Sequence, residues 1–230
     1  MSAPGPLPSA RPAALGAEGS PVSAPGPAFP PGGATARLGL YGGTFDPPHH
    51  AHLALARLAR DHLQLDELKL VPAGNPWQKA DRPMAPAADR AQMLRLAIQG
   101  EPGLVVDEIE LRRPGPSYTI DTVIELRHQQ PDADWFLVLG QDQYARLHTW
   151  HRWQDLVSLV TLAVAGRDGE PPTPSAPLAA VPHRELALPL PPMALSSSDV
   201  RARLARGEGI AEVVPAAVAR YIDRTHLYRS

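Results

Sequence analysis

The sequence predicts an α/β fold in which a parallel sheet is covered by helices on both faces. Strand-like and helix-like segments alternate along the chain, and the strand-like segments are apolar throughout, as expected for strands that are buried on both faces. The chain has 230 residues and 43% apolar side chains, enough for one sizeable domain with a buried core. We predict this domain over residues 37–230.

The individual elements follow from apolar periodicity and from turn residues. Strands are predicted at residues 38–41, 68–71, 104–111, 135–139, 160–165 and around 185–190. Helices are predicted at residues 46–62, 88–98, 118–128, 154–158, 196–206 and 215–224. In the first helix, Asp46 is expected to be the N-cap, with Pro47 and Pro48 in the first turn.

Composition excludes several classes of protein. The net charge of -2 gives no bulk attraction to nucleic acid or to an anionic membrane, and the absence of cysteine excludes disulfides and thiol catalysis. No apolar run reaches the ~20 residues of a membrane span, and the N-terminus lacks a secretory signal. We therefore expect a soluble cytoplasmic protein with neither nucleic acid nor membrane as a partner.

Residues 1–36 differ in composition from the rest of the chain. They are rich in Pro, Ala, Gly and Ser and have almost no large side chains. Such a segment buries too little surface to offset the entropy lost on ordering. We predict a disordered tail, either a dispensable extension or an arm that docks a partner.

Residues 42–52 are the most informative stretch of the chain, and they read Gly-Gly-Thr-Phe-Asp-Pro-Pro-His-His-Ala-His. Two glycines after a predicted strand let a loop pass close to a ligand, and the helix start that follows favours an anion. His49 and His52 share one helix face, where both imidazoles can donate to phosphate oxygens. There are two alternatives for these histidines. They could bind zinc, although no convincing third ligand lies nearby, or their role could be purely structural.

A second polar cluster lies at residues 196–201, which read Ser-Ser-Ser-Asp-Val-Arg. Ser196 and Asp199 have the spacing of a capping box. Arg201 adds a guanidinium beside three hydroxyls, a combination that suits a polyphosphate. An ordinary helix start is the alternative.

Together these segments resemble the bacterial nicotinate-nucleotide adenylyltransferases of the H-x-G-H nucleotidyltransferase superfamily. Residues 42–52 are similar to the signature G-G-T-F-D-P-x-H-x-G-H, with Ala51 in place of glycine, and residues 196–201 to S-S-T-x-x-R, with Ser198 in place of threonine. The resemblance covers about residues 37–228. It implies a Rossmann-like doubly wound sheet and adenylyl transfer from ATP to nicotinate mononucleotide, which gives deamido-NAD and pyrophosphate in NAD biosynthesis.

The resemblance also implies roles for individual residues. His49, His52 and Arg201 would be catalytic. The residues implied in ATP binding are Gly42, Gly43, Thr44, Phe45, His49, His52, Gly140, Asp142, Ser196, Ser197, Ser198 and Arg201. Asp142 follows a predicted strand and would contact ribose, with a helix cap as the alternative.

Lys79, Thr119, Trp150 and His151 are implied in mononucleotide binding. Thr119 belongs to a segment similar to G-P-S-Y-T-x-x-T, and Trp150 would stack on the pyridine ring while backbone N–H groups near His151 hold its carboxylate. For Trp150 the alternative is packing in the core. Lys79 lies in a segment that matches the family imperfectly, and an exposed lysine is the alternative there.

The implied reaction needs no protein nucleophile, because the acceptor phosphate is already an anion. Mg2+ is expected to enter with ATP, without a metal site built by the protein. The alternative functions are a sibling transferase, such as phosphopantetheine adenylyltransferase or a cytidylyltransferase, and a non-catalytic nucleotide-binding regulator. A nicotinamide-dependent oxidoreductase is disfavoured because G-x-G-x-x-G is missing.

Overall fold

The computed structural model describes Met1 and residues 35–75, 84–166 and 170–228. Most of the predicted tail, and Lys79, lie outside these residues, so the predictions made for them stay predictions. Within the described ranges, no helix combines the length and the apolar character that crossing a membrane requires.

The bounds of the elements are as follows. The strands are β1 Arg37–Gly43, β2 Glu67–Pro72, β3 Leu104–Val106, β4 Asp134–Gly140, β5 Thr161–Ala165 and β6 Arg184–Leu188. The helices are α1 His50–His62, α2 Ala87–Ala97, α3 Ile109–Arg112, α4 Thr119–Gln129, α5 Gln141–Arg146, α6 Trp153–Leu159, α7 Ala176–Ala179, α8 Ser197–Ala205 and α9 Ala216–Thr225. A 3-10 turn, Leu147–Thr149, joins α5 to α6.

The six strands form one sheet in the order β3-β2-β1-β4-β5-β6, and every neighbouring pair is parallel. This is the strand order of the Rossmann fold, and the predicted doubly wound sheet is therefore confirmed. The order reverses between β1 and β4, which opens a crevice at the carboxyl ends of these two strands. Ligands of open α/β sheets bind at such a switch point.

Two apolar clusters cover the two faces of the sheet. In β4, Phe136 and Val138 belong to the first cluster and Leu137 and Leu139 to the second, as the two-residue period of a strand requires. Helices α1, α2, α8 and α9 contribute to the first cluster, and helices α3 to α7 to the second. Both faces are therefore buried, which explains why the strands are apolar throughout.

The predicted N-cap of the first helix is wrong. α1 begins at His50, and His49 rather than Asp46 is its N-cap. The carboxylate of Asp46 is buried and accepts hydrogen bonds from the backbone N–H of Ala85 and the hydroxyl of Tyr228. Because tertiary partners occupy this carboxylate, it does not cap the helix.

The third predicted strand is too long. β3 ends at Val106, and the apolar residues that follow belong to the short helix α3. Asp107 makes this turn, because its carboxylate accepts the N–H of Ile109 at 3.0 Å. Two further short helices, α5 and α7, lie in segments for which no helix or strand was predicted.

Candidate active site at the carboxyl end of the sheet

The loop after β1 begins at the switch point. Phe45 is buried in this loop with a left-handed backbone (φ 49°). Its ring lies against Gly43, where an added Cβ would come within 3.1 Å of the ring. Glycine at position 43 therefore lets the aromatic ring support the loop. At Gly42 an added Cβ would meet no described atom within 4 Å.

His49 and His52 stack at the start of α1. Their ring centroids lie 3.6 Å apart with 24° between the planes, and the edge of Phe45 meets His52 at 5.1 Å. The backbone N–H of His49 donates to Nδ1 of His52 at 3.2 Å. Because Nδ1 accepts, the neutral ring of His52 carries its proton on Nε2. The predicted shared face of the two histidines is confirmed.

His49 is the more buried of the two histidines, with 4% of its surface exposed, and its Nδ1 has no hydrogen-bond partner among the described residues. Burial, followed by the nearby charge of His50, lowers the pKa of His49 to about 4, while Asp199 opposes the shift. His49 is therefore neutral at neutral pH. It can donate or accept a hydrogen bond there without adding a full charge.

The start of α8 packs against the same loop. Ser196 is its N-cap, and a capping box with Asp199 is present, as predicted: the Ser196 hydroxyl accepts the Asp199 N–H at 3.2 Å, and the Asp199 carboxylate accepts the Ser196 N–H at 3.0 Å. The hydroxyl of Ser197 donates to the carbonyl of Pro47 at 2.9 Å, across 150 residues of chain. The two polar clusters of the sequence are therefore adjacent in space.

Arg201 joins these clusters through its guanidinium. Nη1 donates to the carbonyl oxygen of Asp46 at 2.6 Å and lies 3.6 Å from Oδ2 of the same residue, and Nη2 donates to the hydroxyl of Ser198 at 3.2 Å. The side chain is 30% exposed. These contacts fix the plane of the guanidinium while part of it stays accessible to an anion.

Two residues of this region, Arg90 and Tyr228, were not predicted from the sequence. Arg90 is 1% exposed and donates to the carbonyls of Thr44 and Ala85, at 3.0 and 3.1 Å. Tyr228 donates to the carboxylate of Asp46, which also accepts the backbone N–H of Ala85. Both donors lie far from Asp46 in the sequence. Arg90 had a readable signal, because it shares a helix face with the apolar Met93, three residues later.

Gly140 and Asp142 lie at the carboxyl end of β4, beside the loop after β1. Gly140 is the N-cap of α5, and Asp142 is exposed in the first turn of that helix. This position at the switch point agrees with the predicted one. Because Asp142 lies in the first turn of α5, the alternative role of this residue at a helix start fits the structure as well.

The predicted mononucleotide residues that the structure describes come from two segments. Thr119 is the first residue of α4, and the ring of its neighbour Tyr118 lies 4.4 Å from the ring of His151. Trp150 is half-buried against the second apolar cluster, and its indole N–H is buried without a hydrogen-bond partner among the described residues. Trp153 is also partly buried and packs on the same cluster.

Glu110 was also missed, because it was assigned to a strand. It is buried, and its carboxylate accepts the hydroxyl of Thr122 at 2.9 Å. Burial raises its pKa, and hydrogen bonds from Thr122, Ser117 and the backbone of Gly74 oppose that shift. Glu110 thus links the loop after β2 to α4. Its sequence neighbourhood alone gave no signal of these long-range partners.

A search for metal ligands gives a negative result within the described ranges. There, no group of three or more His, Asp or Glu side chains could hold a metal ion. The polar groups gathered at the switch point are instead N–H, imidazole, hydroxyl and guanidinium donors. This donor set suits a phosphate chain.

Comparison with known proteins identifies the family of this chain. Residues 40–203 match the family model described as cytidylyltransferase-like, a class of nucleotidyltransferases. A protein of Methylibium petroleiphilum is 56% identical over 196 residues, covering 84% of this chain and 92% of the relative. One from Bordetella petrii is 52% identical, covering 84% and 99%. Both are named probable nicotinate-nucleotide adenylyltransferase, and the chain belongs to this family.

Solved structures show the same architecture. The Plasmodium falciparum nicotinic acid mononucleotide adenylyltransferase complexed with NaAD superposes with a TM-score of 0.72 at 18% identity, covering 84% of this chain and 97% of that one. A putative nicotinate-nucleotide adenylyltransferase from Vibrio parahaemolyticus gives a TM-score of 0.62 at 16% identity, covering 84% and 96%. At these identities the likeness supports the fold alone.

Proposed function

We propose that this protein transfers the adenylyl group of ATP to nicotinate mononucleotide, forming deamido-NAD and pyrophosphate in NAD biosynthesis. Family membership supports the reaction. The observation that carries the site is the meeting, at the switch point, of two segments that are 150 residues apart in sequence. One contributes stacked imidazoles and the other a guanidinium at a helix start, and both kinds of group bind phosphate.

The proposed chemistry is an in-line displacement. An oxygen of the 5′-phosphate of the mononucleotide attacks the α-phosphorus of ATP, and the bond from that phosphorus to the α,β-bridging oxygen breaks. Its electron pair leaves with pyrophosphate. The attacking oxygen is already anionic, so the protein supplies positioning and charge stabilisation rather than a base.

His49 and His52 form hydrogen bonds with the α-phosphate in this proposal. The proton of neutral His52 on Nε2 suits donation to a phosphate oxygen, and the low pKa of His49 makes its ring a neutral partner. Arg201 supplies the positive charge for the β- and γ-phosphates, together with the N–H groups and hydroxyls of residues 196–198. Each group acts most strongly where charge moves onto the leaving oxygen.

The loop after β1 and the start of α5 bind the rest of ATP in this proposal. Residues 42–45 bring backbone groups close to the nucleotide, since Gly42 leaves room for the ligand. Gly140 and Asp142 lie beside them at the end of β4, where the carboxylate of Asp142 can accept hydrogen bonds from the ribose hydroxyls. Their shared location at the switch point supports this assignment.

Thr119, Trp150 and His151 bind the mononucleotide in this proposal, with Lys79 near its phosphate. Half-buried Trp150 offers an aromatic face for an electron-poor pyridinium. The ring of Tyr118 contacts the ring of His151, so the start of α4 lies next to the segment that holds Trp150 and His151. This proximity supports a single pocket for the mononucleotide.

Mg2+ enters this proposal as part of the substrate, bound to the triphosphate. It would supply positive charge that stabilises the leaving pyrophosphate. We assign the reaction to residues 37–230 and to the cytoplasm, where ATP is available, with residues 1–36 as an appended tail.

Identification of the product tests the function. Purified protein is incubated with ATP, Mg2+ and nicotinate mononucleotide, and the products are separated and identified by mass spectrometry. We expect deamido-NAD and pyrophosphate in equal amounts. Parallel reactions replace the acceptor with nicotinamide mononucleotide or phosphopantetheine, or ATP with CTP. Turnover confined to phosphopantetheine or to CTP would overturn the proposal in favour of a sibling transferase.

A further inference from the structure

Asp46 is an acidic residue of the loop after β1, yet it is only 3% exposed. Its Oδ1 accepts the backbone N–H of Ala85 at 3.1 Å and the hydroxyl of Tyr228 at 2.6 Å. On its other side, Nη1 of Arg201 lies 3.6 Å from Oδ2 and 2.6 Å from the Asp46 carbonyl. The carboxylate therefore connects the C-terminal segment with the guanidinium assigned to the triphosphate.

Arg90 gives this connection a rigid base. It is almost fully buried in α2 and donates to the carbonyl of Thr44 on the loop and to the carbonyl of Ala85. Burial lowers its pKa, and the charge of Asp46 opposes that shift. The carboxylate of Asp46 is thus compensated by the guanidinium of Arg201 at 3.6 Å and by the charge of Arg90, and a buried charge needs such compensation.

Tyr228 reaches this site from beyond the end of α9. The backbone turns through His226 and Tyr228, which have φ values of 54° and 63°. This turn brings the phenol to a residue 182 positions earlier in the chain. Burial, with the hydrogen bond to Asp46, raises the pKa of Tyr228, so the hydroxyl keeps its proton and donates.

We infer that Tyr228 is a positioning residue for ATP: its hydroxyl holds the Asp46 carboxylate, and Asp46 in turn holds Arg201 and the loop after β1. Tyr228 acts on the nucleotide only through these partners. The inference rests on the proposed function, since it needs Arg201 to bind the triphosphate. Without the hydroxyl, Oδ1 of Asp46 accepts only the N–H of Ala85. The carboxylate of Asp46 can then rotate, and the guanidinium of Arg201 shifts with it.

A merely structural role for Tyr228, as an anchor for the C-terminal segment, predicts lower stability alone. The chain offers a matched control for this alternative. Tyr221 in α9 donates to Oδ1 of Asp89 in α2, also at 2.6 Å. It is the same kind of bond, from a nearby tyrosine to a carboxylate, but no hydrogen bond or ion pair among the described residues joins Asp89 to Arg201 or to the loop after β1.

The experiment compares the wild type with Tyr228→Phe and Tyr221→Phe. Steady-state kinetics with varied ATP are measured at saturating mononucleotide, and each unfolding midpoint is recorded. For Tyr228→Phe we expect kcat/KM for ATP to fall about 10-fold, the size of one lost hydrogen bond to a charged group. The KM for the mononucleotide and the activity of Tyr221→Phe should stay within about twofold of wild type.

A binding measurement separates this inference from the proposed function. Calorimetric titration with a non-hydrolysable ATP analogue and Mg2+ needs no turnover, and we expect about 10-fold weaker binding for Tyr228→Phe alone. If the wild type makes no dinucleotide, the proposed function fails while this titration still tests Tyr228. Wild-type affinity and kcat/KM in Tyr228→Phe, or equal losses in Tyr221→Phe, would overturn the positioning role.

Discussion

The proton positions of two stacked imidazoles decide what they can offer a phosphate. His52 accepts the N–H of His49 on Nδ1, which directs its own proton to Nε2. Burial, followed by the nearby charge of His50, lowers the pKa of His49 to about 4. At neutral pH His49 is therefore uncharged and can act on a phosphate only by hydrogen bonding, whereas Arg201 carries a full positive charge.

The first prediction concerns His52→Ala. This change removes the donor that we propose for the α-phosphate, and kcat should fall roughly 10²–10³-fold, the range for one lost transition-state donor. It also removes the acceptor of the His49 N–H, so the unfolding free energy should fall by about 1 kcal/mol. His62→Ala, at the other end of α1, is the control. A fully active His52→Ala enzyme would refute the assigned role.

The second prediction concerns pH. The native pKa of His49 lies below the unfolded value of 6.5, so the unfolded chain takes up the proton first and stability falls as pH drops from 6.5 towards about 4. Between about pH 7 and about pH 5 this group should cost the wild type about 2 kcal/mol. Urea unfolding of His49→Asn should lack this component, whereas His62→Asn should retain it. Identical pH dependence in wild type and His49→Asn would contradict the prediction.

Individual site residues were predictable to the degree that their partners are local. His49, His52 and Arg201 stand at helix starts, where three-residue spacing reveals a common face. Arg90 and Tyr228 were missed because they act through backbone carbonyls and a carboxylate at sequence distances of 46 and 182. No local pattern contains such a partner.

At the scale of the element, α8 shows how one cap supports a site. Ser196 accepts the Asp199 N–H, and the helix it begins presents Ser197 to Pro47 and Arg201 to Asp46. Fraying of the first turn would therefore release both contacts to the loop. The same cap that starts the helix also sets the position of the guanidinium.

The third prediction is that Ser196→Ala destabilises the protein by about 1 kcal/mol, because it removes an N-cap acceptor. Chemical unfolding measures this loss. Ser158→Ala is the control, since that hydroxyl donates to the carbonyl of Asp155 within α6 and starts no helix; its effect should lie within about 0.5 kcal/mol. Equal effects of the two substitutions would show that the cap contributes nothing.

Element boundaries were predictable where a local signal sets them. The Ser196 cap and the start of α9 after Pro215 lie at the predicted positions. β3 was overextended because apolar residues continue past Val106, and the turn depends on the Asp107 carboxylate. α7 was hidden in a proline-rich stretch, although proline is compatible with the first turn it occupies.

At the scale of the whole molecule, uniformly apolar strands predicted a sheet that is covered on both faces. The doubly wound topology was predicted from the family resemblance, since apolar patterns do not specify which strands are neighbours; the strand order was seen only in the structure. β1 lies at the centre of this order and must accommodate helices on both sides. Gly39 shows the tightness of one side, because an added Cβ would lie 2.4 Å from Leu68 and 2.7 Å from Leu65.

The fourth prediction is that Gly39→Ala destabilises the protein by roughly 1–3 kcal/mol, the cost of overpacking a core. Thermal unfolding should show the loss. Gly209→Ala is the matched control, since its added Cβ would meet no described atom within 4 Å and its effect should stay below about 1 kcal/mol. A Gly39→Ala protein as stable as the wild type would mean that the leucines repack freely.

The 150 residues between Pro47 and Ser197 have a consequence during biosynthesis. A ribosome makes the paired imidazoles early and the guanidinium late, so a half-made chain has only one side of the crevice. In the proposed function, a nascent polypeptide therefore lacks the guanidinium side of the triphosphate site until α8 has been made. We expect nucleotide binding only after α8 has been synthesised and has packed against a sheet whose central strands were synthesised earlier.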